Sequence, residues 1–501
     1  MAQAFYSIDL TNPVMPMLSE QQTRTVIGST AGEAPAASKR VGLAYIHNVM
    51  PSRYGLDAIG YLQTVLACAD LPAGVTFTAT KVIFGNKRTR LHLAWDSAGQ
   101  VYVLPSASTS WAKVTGGAGL SVDAVTEGTV NGVSYLYYSR TGCYVFDEST
   151  QSLVATELTG LLASEVIGLV ASSGYLIAYT EEAIAWSSTL VPTDFVPSQV
   201  TGAGGGLVAG IDGDIVFCTI NTLGVLVYTQ ANAIAGTYTG NARYPFKFRE
   251  VASSKGGISL AQVAYKANAP SQFVYSKAGL QTITSQSAEA ILPEVTDFLA
   301  GRRFEDYDEV TREFTIADLP PTSAMLKKLA YIASRYLVIS YSLPDTGFTH
   351  ALVYDTALEK AGKLKIAHTD VFEFVAEQTE VSKEAIAFLK TDGSVEVVDF
   401  STTANTSGVV MLGKLQLSRS RLLTLLGVEV ENIPEEFPLD VYALSALDGK
   451  NGRKVDGSLR NSADNIREYA FRATAKNHSL VFTGSFNLVT VQVRYRTASR
   501  R

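Results

Sequence analysis

The sequence is short of several residue types, and each shortage removes a class of protein. Cysteine occurs three times in 501 residues, at Cys68, Cys143 and Cys218. So sparse and odd a set does not make a secreted disulfide framework, and buried reduced thiols are expected. Proline numbers 16 and glycine 40 without a triplet period, which excludes collagen and low-complexity linker. Charged residues are only 18% while 47% are apolar, so a core can form and wholesale disorder is excluded. Lys and Arg total 41 against 47 Asp and Glu, a formal charge of −6. That balance argues against a protein that holds nucleic acid over a broad basic surface. No apolar run reaches 18 residues, so no membrane-spanning helix and no stable membrane insertion are expected. The opening MAQAFYSIDLTNP lacks the basic-then-apolar succession of a Sec-type signal, so a soluble protein made in a cytoplasm is expected.

Catalytic signatures are as scarce. The five histidines, His47, His92, His350, His368 and His478, stand at no metal-ligand spacing from one another or from cysteine. His368 has Asp370 close by, which reads as a local turn contact sooner than as a base and its orienting carboxylate. The glycine run 202–206 (GAGGG) lacks the Gly-Lys-Ser/Thr end of a phosphate loop and reads as a flexible connection. No G-x-S-x-G elbow occurs. Asp212-Gly213-Asp214 and Asp392-Gly393 lack calcium-loop spacing and read as hairpin turns. Paired carboxylates for glycan hydrolysis are sought in Glu305, Asp306, Asp308 and Glu309, flanked by Arg302, Arg303 and Arg312. A solvated mixed-charge edge accounts for them more simply. No catalytic, cofactor-binding or metal-binding residue is assigned.

What the chain does contain is β pattern almost throughout. Runs of Val, Ile, Thr, Tyr and Phe alternate with Gly, Asp, Asn and Ser clusters, and tyrosine (24) and phenylalanine (21) are plentiful. The runs come as hairpins: 91–95 into 100–104, 133–138 into 143–146, 175–180 into 183–186, 215–220 into 224–229, 272–276 into 280–284, 308–310 into 313–316, 336–341 into 351–354, and 385–389 into 394–400. Hairpin pairs recur every ~35–60 residues, the size of one four-stranded propeller blade. The fold class is therefore all-β. A β-propeller-like core of about six to seven blades is expected over 41–402, with a pair of β-sandwiches as the rival. Residues 1–40 read as an extended N-terminal arm that needs a neighbour to order it. Residues 403–501 read as a small C-terminal β domain, with a boundary near 402–410. Helical pattern is sparse: 55–69 (GLDAIGYLQTVLACA), 287–299 with Pro293 as a break, and 320–335.

Two basic features bear on nucleic acid. Arg243–Arg249 (RYPFKFR) interleaves aromatics and cations and fits either a DNA-contacting strip or a strand with one apolar and one cationic face. Arg494, Arg496, Arg500 and Arg501 make a basic tail.

Several segments together resemble one family, the tail hub or nozzle proteins of short-tailed double-stranded DNA phages. Residues 39–45 (SKRVGLA) resemble its basic-Gly segment after an extended arm. Residues 180–198 (TEEAIAWSSTLVPTDFVPS) resemble its W-S…P-x-D-F-x-P-S stretch, and 212–241 its paired hairpin with an x-G-N turn. Residues 351–370 (ALVYDTALEKAGKLKIAHTD) resemble a V-Y-D…K-x-G-K…H-x-D unit, with Ala361 where tryptophan is usual. The segments AIAFLKTDGSVEVVDF, GKLQLSRSRL and LDGKNGR continue the likeness. The resemblance implies a structural virion protein, not an enzyme, assembled in the host cytoplasm. It implies a homo-oligomeric ring, often a hexamer, at the distal end of the tail, docked to an adaptor ring below the portal and to fibres or spikes. DNA would leave through its lumen without specific binding and no cofactor would be needed. The alternative is a carbohydrate-binding or carbohydrate-active propeller.

Overall fold

Alternation of apolar and polar residues, broken by turn formers, folds this chain into antiparallel hairpins. The computed structural model describes residues 4–9, 43–53, 55–105, 108–116, 119, 125–208, 210–241, 244–266, 268–300, 303–308, 313–318, 326–342, 347–376, 383–399, 408–412, 415, 422–431, 438–446, 453–463 and 466–498. Over these residues the fold is all-β, with a helix, α1 (Pro293–Ala300), and a 3-10 turn at Leu260–Gln262.

Four-stranded meanders dominate. Five follow one another in the chain: module 1 (Phe77–Phe84 to Ala112–Lys113), module 2 (Val125–Val130 to Ser152–Thr156), module 3 (Gly168–Ser172 to Gly204–Leu207), module 4 (Ile215–Asn221 to Phe246–Glu250) and module 5 (Val263–Ala264 to Ala288–Ala290). Module 6 comprises Leu326–Ile332, Tyr336–Ser342, Phe348–Asp355 and Lys360–His368. Its sheet continues through Val49–Pro51, Leu56–Ala58 and Asn487–Leu488. Module 7 has three strands of its own, Asp370–Ala376, Lys383–Leu389 and Val395–Asp399. Its fourth is Gly60–Val65, so Val395 lies opposite Val65 across the sequence.

Successive modules pack on one another. The Trp95 indole N–H donates to the Tyr138 hydroxyl (3.1 Å) between modules 1 and 2. Gln272 of module 5 accepts from Thr219 and Tyr228 of module 4. Module 7 then lies against module 1, where Phe77, Tyr102 and Trp111 share one buried cluster with Ala387, Leu389 and Val395. At this seam the Trp111 indole donates to the Gly393 carbonyl (2.6 Å). Gly393 has φ of +85°, and a Cβ there would meet the Phe77 ring at 2.7 Å, so only glycine suits the turn. Trp111→Phe leaves that buried carbonyl without its donor and is expected to cost about 1–3 kcal/mol. Hydrogen exchange should then quicken in modules 1 and 7 together; quickening in module 1 alone would refute the seam.

Both chain ends build a second unit, the platform. One five-stranded sheet orders Ala4–Asp9, Thr490–Ala498, Leu422–Glu431, Ile466–Ala475 and Ser458–Ala463. The other orders Leu43–His47, Gly408–Leu412, Asn477–Gly484, Leu439–Ala446 and Arg453–Asp456. Ile8, Leu43, Val410, Val428, Phe471 and Phe482 meet in the core between them. The 1–40 segment thus contributes a strand to the C-terminal unit, with Ile8 opposite Val491, and 403–501 does not stand alone.

The helical expectations need correction. Segment 55–69 forms two strands, Leu56–Ala58 and Gly60–Val65, in different sheets. Within 320–335, the described part is the strand Leu326–Ile332 and its turn. Helix α1 begins at Pro293 instead of breaking there, because its first position needs no N–H donor. The run 202–206 is not a free connection: Gly204–Leu207 is the outermost strand of module 3. The 243–249 strip forms the outer strand Phe246–Glu250, with Phe246 buried and Lys247 exposed; Arg243 lies outside the described residues.

Candidate functional site

Several modules carry polar residues that only the fold brings together. Glu373 of module 7 is the centre of the group. Its Oε1 lies 2.6 Å from an Arg90 guanidinium nitrogen of module 1. Its Oε2 lies 2.5 Å from Lys266 Nζ beside module 5 and accepts the Ala333 N–H of module 6 at 2.9 Å. One carboxylate therefore ties four modules. Desolvation pushes its pKa up, but Lys266, the Ala333 N–H and Arg90 more than offset this and hold it below the ordinary carboxylate range.

Three residues earlier, Asp370 makes a second lock. Lys328 Nζ is 2.6 Å from Oδ1, while the Thr80 N–H (2.6 Å) and hydroxyl (3.2 Å) donate to Oδ2. Glu127 of module 2 accepts from the Thr129 and Ser134 hydroxyls at 2.5 and 2.6 Å. Lys81 lies in the field of Glu127 and Asp370; burial lowers its pKa and those carboxylates oppose the shift. Against this cluster His92 stacks on Phe374 (centroids 5.4 Å, planes 15° apart) with its edge to Phe372. Burial, reinforced by Arg90, lowers His92 to about 4.

The histidines considered from the sequence are buried and dispersed. His368 bonds to the Ile366 carbonyl (2.8 Å) and Ser340 hydroxyl (2.7 Å), while the nearby Asp370 is committed elsewhere, so the two are not a base and orienter. His478 bonds to Ser445 and to the Leu423 carbonyl. Among the described residues no three His, Cys, Asp or Glu stand close enough to hold a metal. The three cysteines are buried free thiols, and burial pushes Cys143 up to about 12. Asp214 accepts from the Gln230 amide and serves its turn. Arg303–Asp308 pairs with Glu313–Asp318 as a hairpin; Arg302, Glu309 and Arg312 lie outside the described residues. In the basic tail Arg494 pairs with Glu429 and Glu468, Arg496 is exposed, and Arg500 and Arg501 lie outside the described residues.

A second feature is a face, not a pocket. Between residues 114 and 242 the sequence holds a single cation, Arg140, against eleven carboxylates. This stretch spans modules 2 and 3 and most of module 4. On its surface Leu162, Leu190, Val191, Val196, Val200 and Leu207 are exposed, Val200 to 92%. Backbone bonds from Thr159 N–H to the Thr193 carbonyl and from Phe195 N–H to the Thr159 carbonyl tie the loops that carry Leu162, Leu190, Val191 and Val196. A cleft of about 490 Å³ adjoins them, lined by Tyr137, Cys143, Tyr144, Glu157, Leu158 and Leu161 among others. The absence of Lys and Arg from 141 to 242 was legible in the sequence; the overall charge of −6 conceals it.

No protein-family model matches the chain, and no curated protein matches it significantly.

Proposed function

We propose that this chain is a structural virion protein, the ring-forming tail hub or nozzle of a short-tailed DNA phage. In this reading modules 1–7 close into a seven-bladed β-propeller, with Gly60–Val65 as the strand that fastens the last blade to the start of the circle. The observation that carries it is the commitment of the inner carboxylates. Glu373 and Asp370 are each held by cations and N–H donors from other modules, so the centre serves as a lock. A general acid or nucleophile must instead reach a substrate. The quoted segment likeness supplies the tail assignment, and the platform, jointly built from both chain ends, supplies a rigid unit for docking the adaptor ring and the fibres.

A lumen that passes DNA must not gather phosphate contacts, because each Lys or Arg contact adds affinity through counterion release. Electron microscopy of purified protein, alone and with its adaptor, is expected to show rings with an open centre. A chain that remains monomeric with the adaptor at micromolar concentration would sink the reading. The carbohydrate alternative rests on the cleft beside Tyr137, Tyr144 and Glu157. A glycan array showing a specific ligand there would favour it.

A further inference from the structure

We infer that the acidic, apolar face of module 3 is the seat of a second copy of this chain, docked by its cationic platform. The inference rests on the ring reading and names the surfaces that join neighbouring copies.

The first surface has the make-up of an interface. Its apolar centre is Leu190, Val191, Val196 and Val200, with Leu162 beside it and Leu207 at the far end of the strand Gly204–Leu207. Glu157 and Glu165 stand exposed on the segment that Thr159 ties to Thr193 and Phe195 beside this centre, whereas Glu181 and Glu182 lie at the other end of the module with Leu207. Arg140, the lone cation of the sector, is already paired with Glu181. An apolar centre flanked by Glu157 and Glu165, with no cation of the sector left unpaired, is unlike the mixed surface of a free soluble protein. Gly204, Gly205 and Gly206 also present an outer strand edge without side chains, and the sequence is uncharged from 195 to 211. Edge strands that stay free are commonly guarded by charge.

The complementary surface lies on the same chain. From residue 453 to the end there are ten Lys and Arg against three Asp and Glu. Among them Arg460, Arg472, Lys476 and Arg496 are exposed on the platform sheet. Leu422, Leu459 and Ile466 are exposed on that sheet with them. The exposed charges of that sheet are thus mostly positive, Glu431 opposite Ile466 being the exception, while those beside the module 3 centre are negative. Because the two patches differ, the contact is heterologous, so repeating it gives a closed ring when the rotation closes. Individual rim pairs contribute little, but opposed fields of this size steer association and set register.

The test is sedimentation of the full chain at tens of micromolar and low salt, with folding checked by circular dichroism. Glu157→Lys with Glu165→Lys, and separately Arg460→Glu with Arg472→Glu, should each weaken assembly about tenfold or more, and the combined four-fold variant should recover most of it. Val200→Asp should abolish assembly, and raising salt from ~50 to ~500 mM should weaken the parent, since screening shortens the reach of rim charges. Rings that form unchanged in all variants overturn this interface while leaving the ring reading intact. Loss in the acidic variant without rescue by the platform reversal means that another surface of the neighbouring copy meets the acidic face, which overturns the platform assignment. No assembly of the parent under any condition overturns both.

Discussion

Glu373→Gln is expected to destabilise the chain by about 2–4 kcal/mol and to loosen four modules at once. The substitution keeps the side-chain volume but removes the charge that neutralises Arg90 and Lys266. Breaking a buried pair from one side typically costs ~3–5 kcal/mol, because the partner charge stays desolvated. Here Arg90 retains 33% of its side-chain exposure and Lys266 18%, so water offsets part of the loss. The Ala333 N–H keeps an acceptor only if the amide oxygen faces it. Denaturant unfolding gives the total, and hydrogen exchange gives its distribution. Protection should fall in Phe77–Phe84, Val263–Ala264, Leu326–Ile332 and Asp370–Ala376, which carry or adjoin the partners. Lys266→Met in the Glu373→Gln background should recover part of the stability, since it removes one orphaned charge. A loss below about 1 kcal/mol, or one confined to module 7, would show that Glu373 is not the tie between modules.

That tie was invisible in the sequence, and the reason is physical. Arg90, Lys266, Ala333 and Glu373 belong to four modules, and nothing local marks any of them. Hairpins were legible because their signal is local: alternation, then Gly, Asp or Asn, then alternation. The 385–400 hairpin with its Thr-Asp-Gly turn is an example, with Asp392 Oδ1 accepting from the Ser394 N–H and hydroxyl. The misread helices failed for the opposite reason. Leu56–Ala58 and Gly60–Val65 take their partners from residues 487–488 and 395–399, so their apolar residues answer to distant sheets and show no clean period of two. Residues 320–335 read as helical, but Leu326–Ile332 within them is a strand that carries the consecutive pair Lys327-Lys328. In the strand they point oppositely, Lys327 over the Tyr275 ring and Lys328 to Asp370. The acidic sector was readable by counting cations in windows, whereas the whole-chain charge averages it against the basic C-terminal end.

Acid should unfold this chain well above the pH that protonates its carboxylates, and His92 and His368 set the window. Both rings are buried neutral. Burial is the main cause in each case, and it lowers both to about 4 from 6.5. Unfolded, each imidazole takes its proton near pH 6.5; folded, only near 4. Between those values the unfolded chain binds more protons, so stability is full above pH 6.5 and drains as the pH falls toward 4. Each ring accounts for about 3 kcal/mol over that range. His478, also lowered by burial, acts in the same direction. Glu373, held below its ordinary value, adds its loss only at lower pH, as its own carboxylate is protonated. The denaturation midpoint of the first unfolding step should therefore be level from pH 8 to 7 and drop steeply from 6.5 to 4.5. Two substitutions separate this from general acid sensitivity. His92→Phe keeps an aromatic ring against Phe372 and Phe374, and the Nδ1 it removes makes no hydrogen bond, so it should be near neutral at pH 7.5 and remove one ring's share of the slope. His368→Phe removes the bonds to the Ile366 carbonyl and the Ser340 hydroxyl, so it should lose about 1–3 kcal/mol at pH 7.5 while also flattening the acid limb. An acid limb of unchanged slope in the double variant would mean that other groups take up the protons, and that neither His92, between modules 1 and 7, nor His368, between modules 6 and 7, governs the opening.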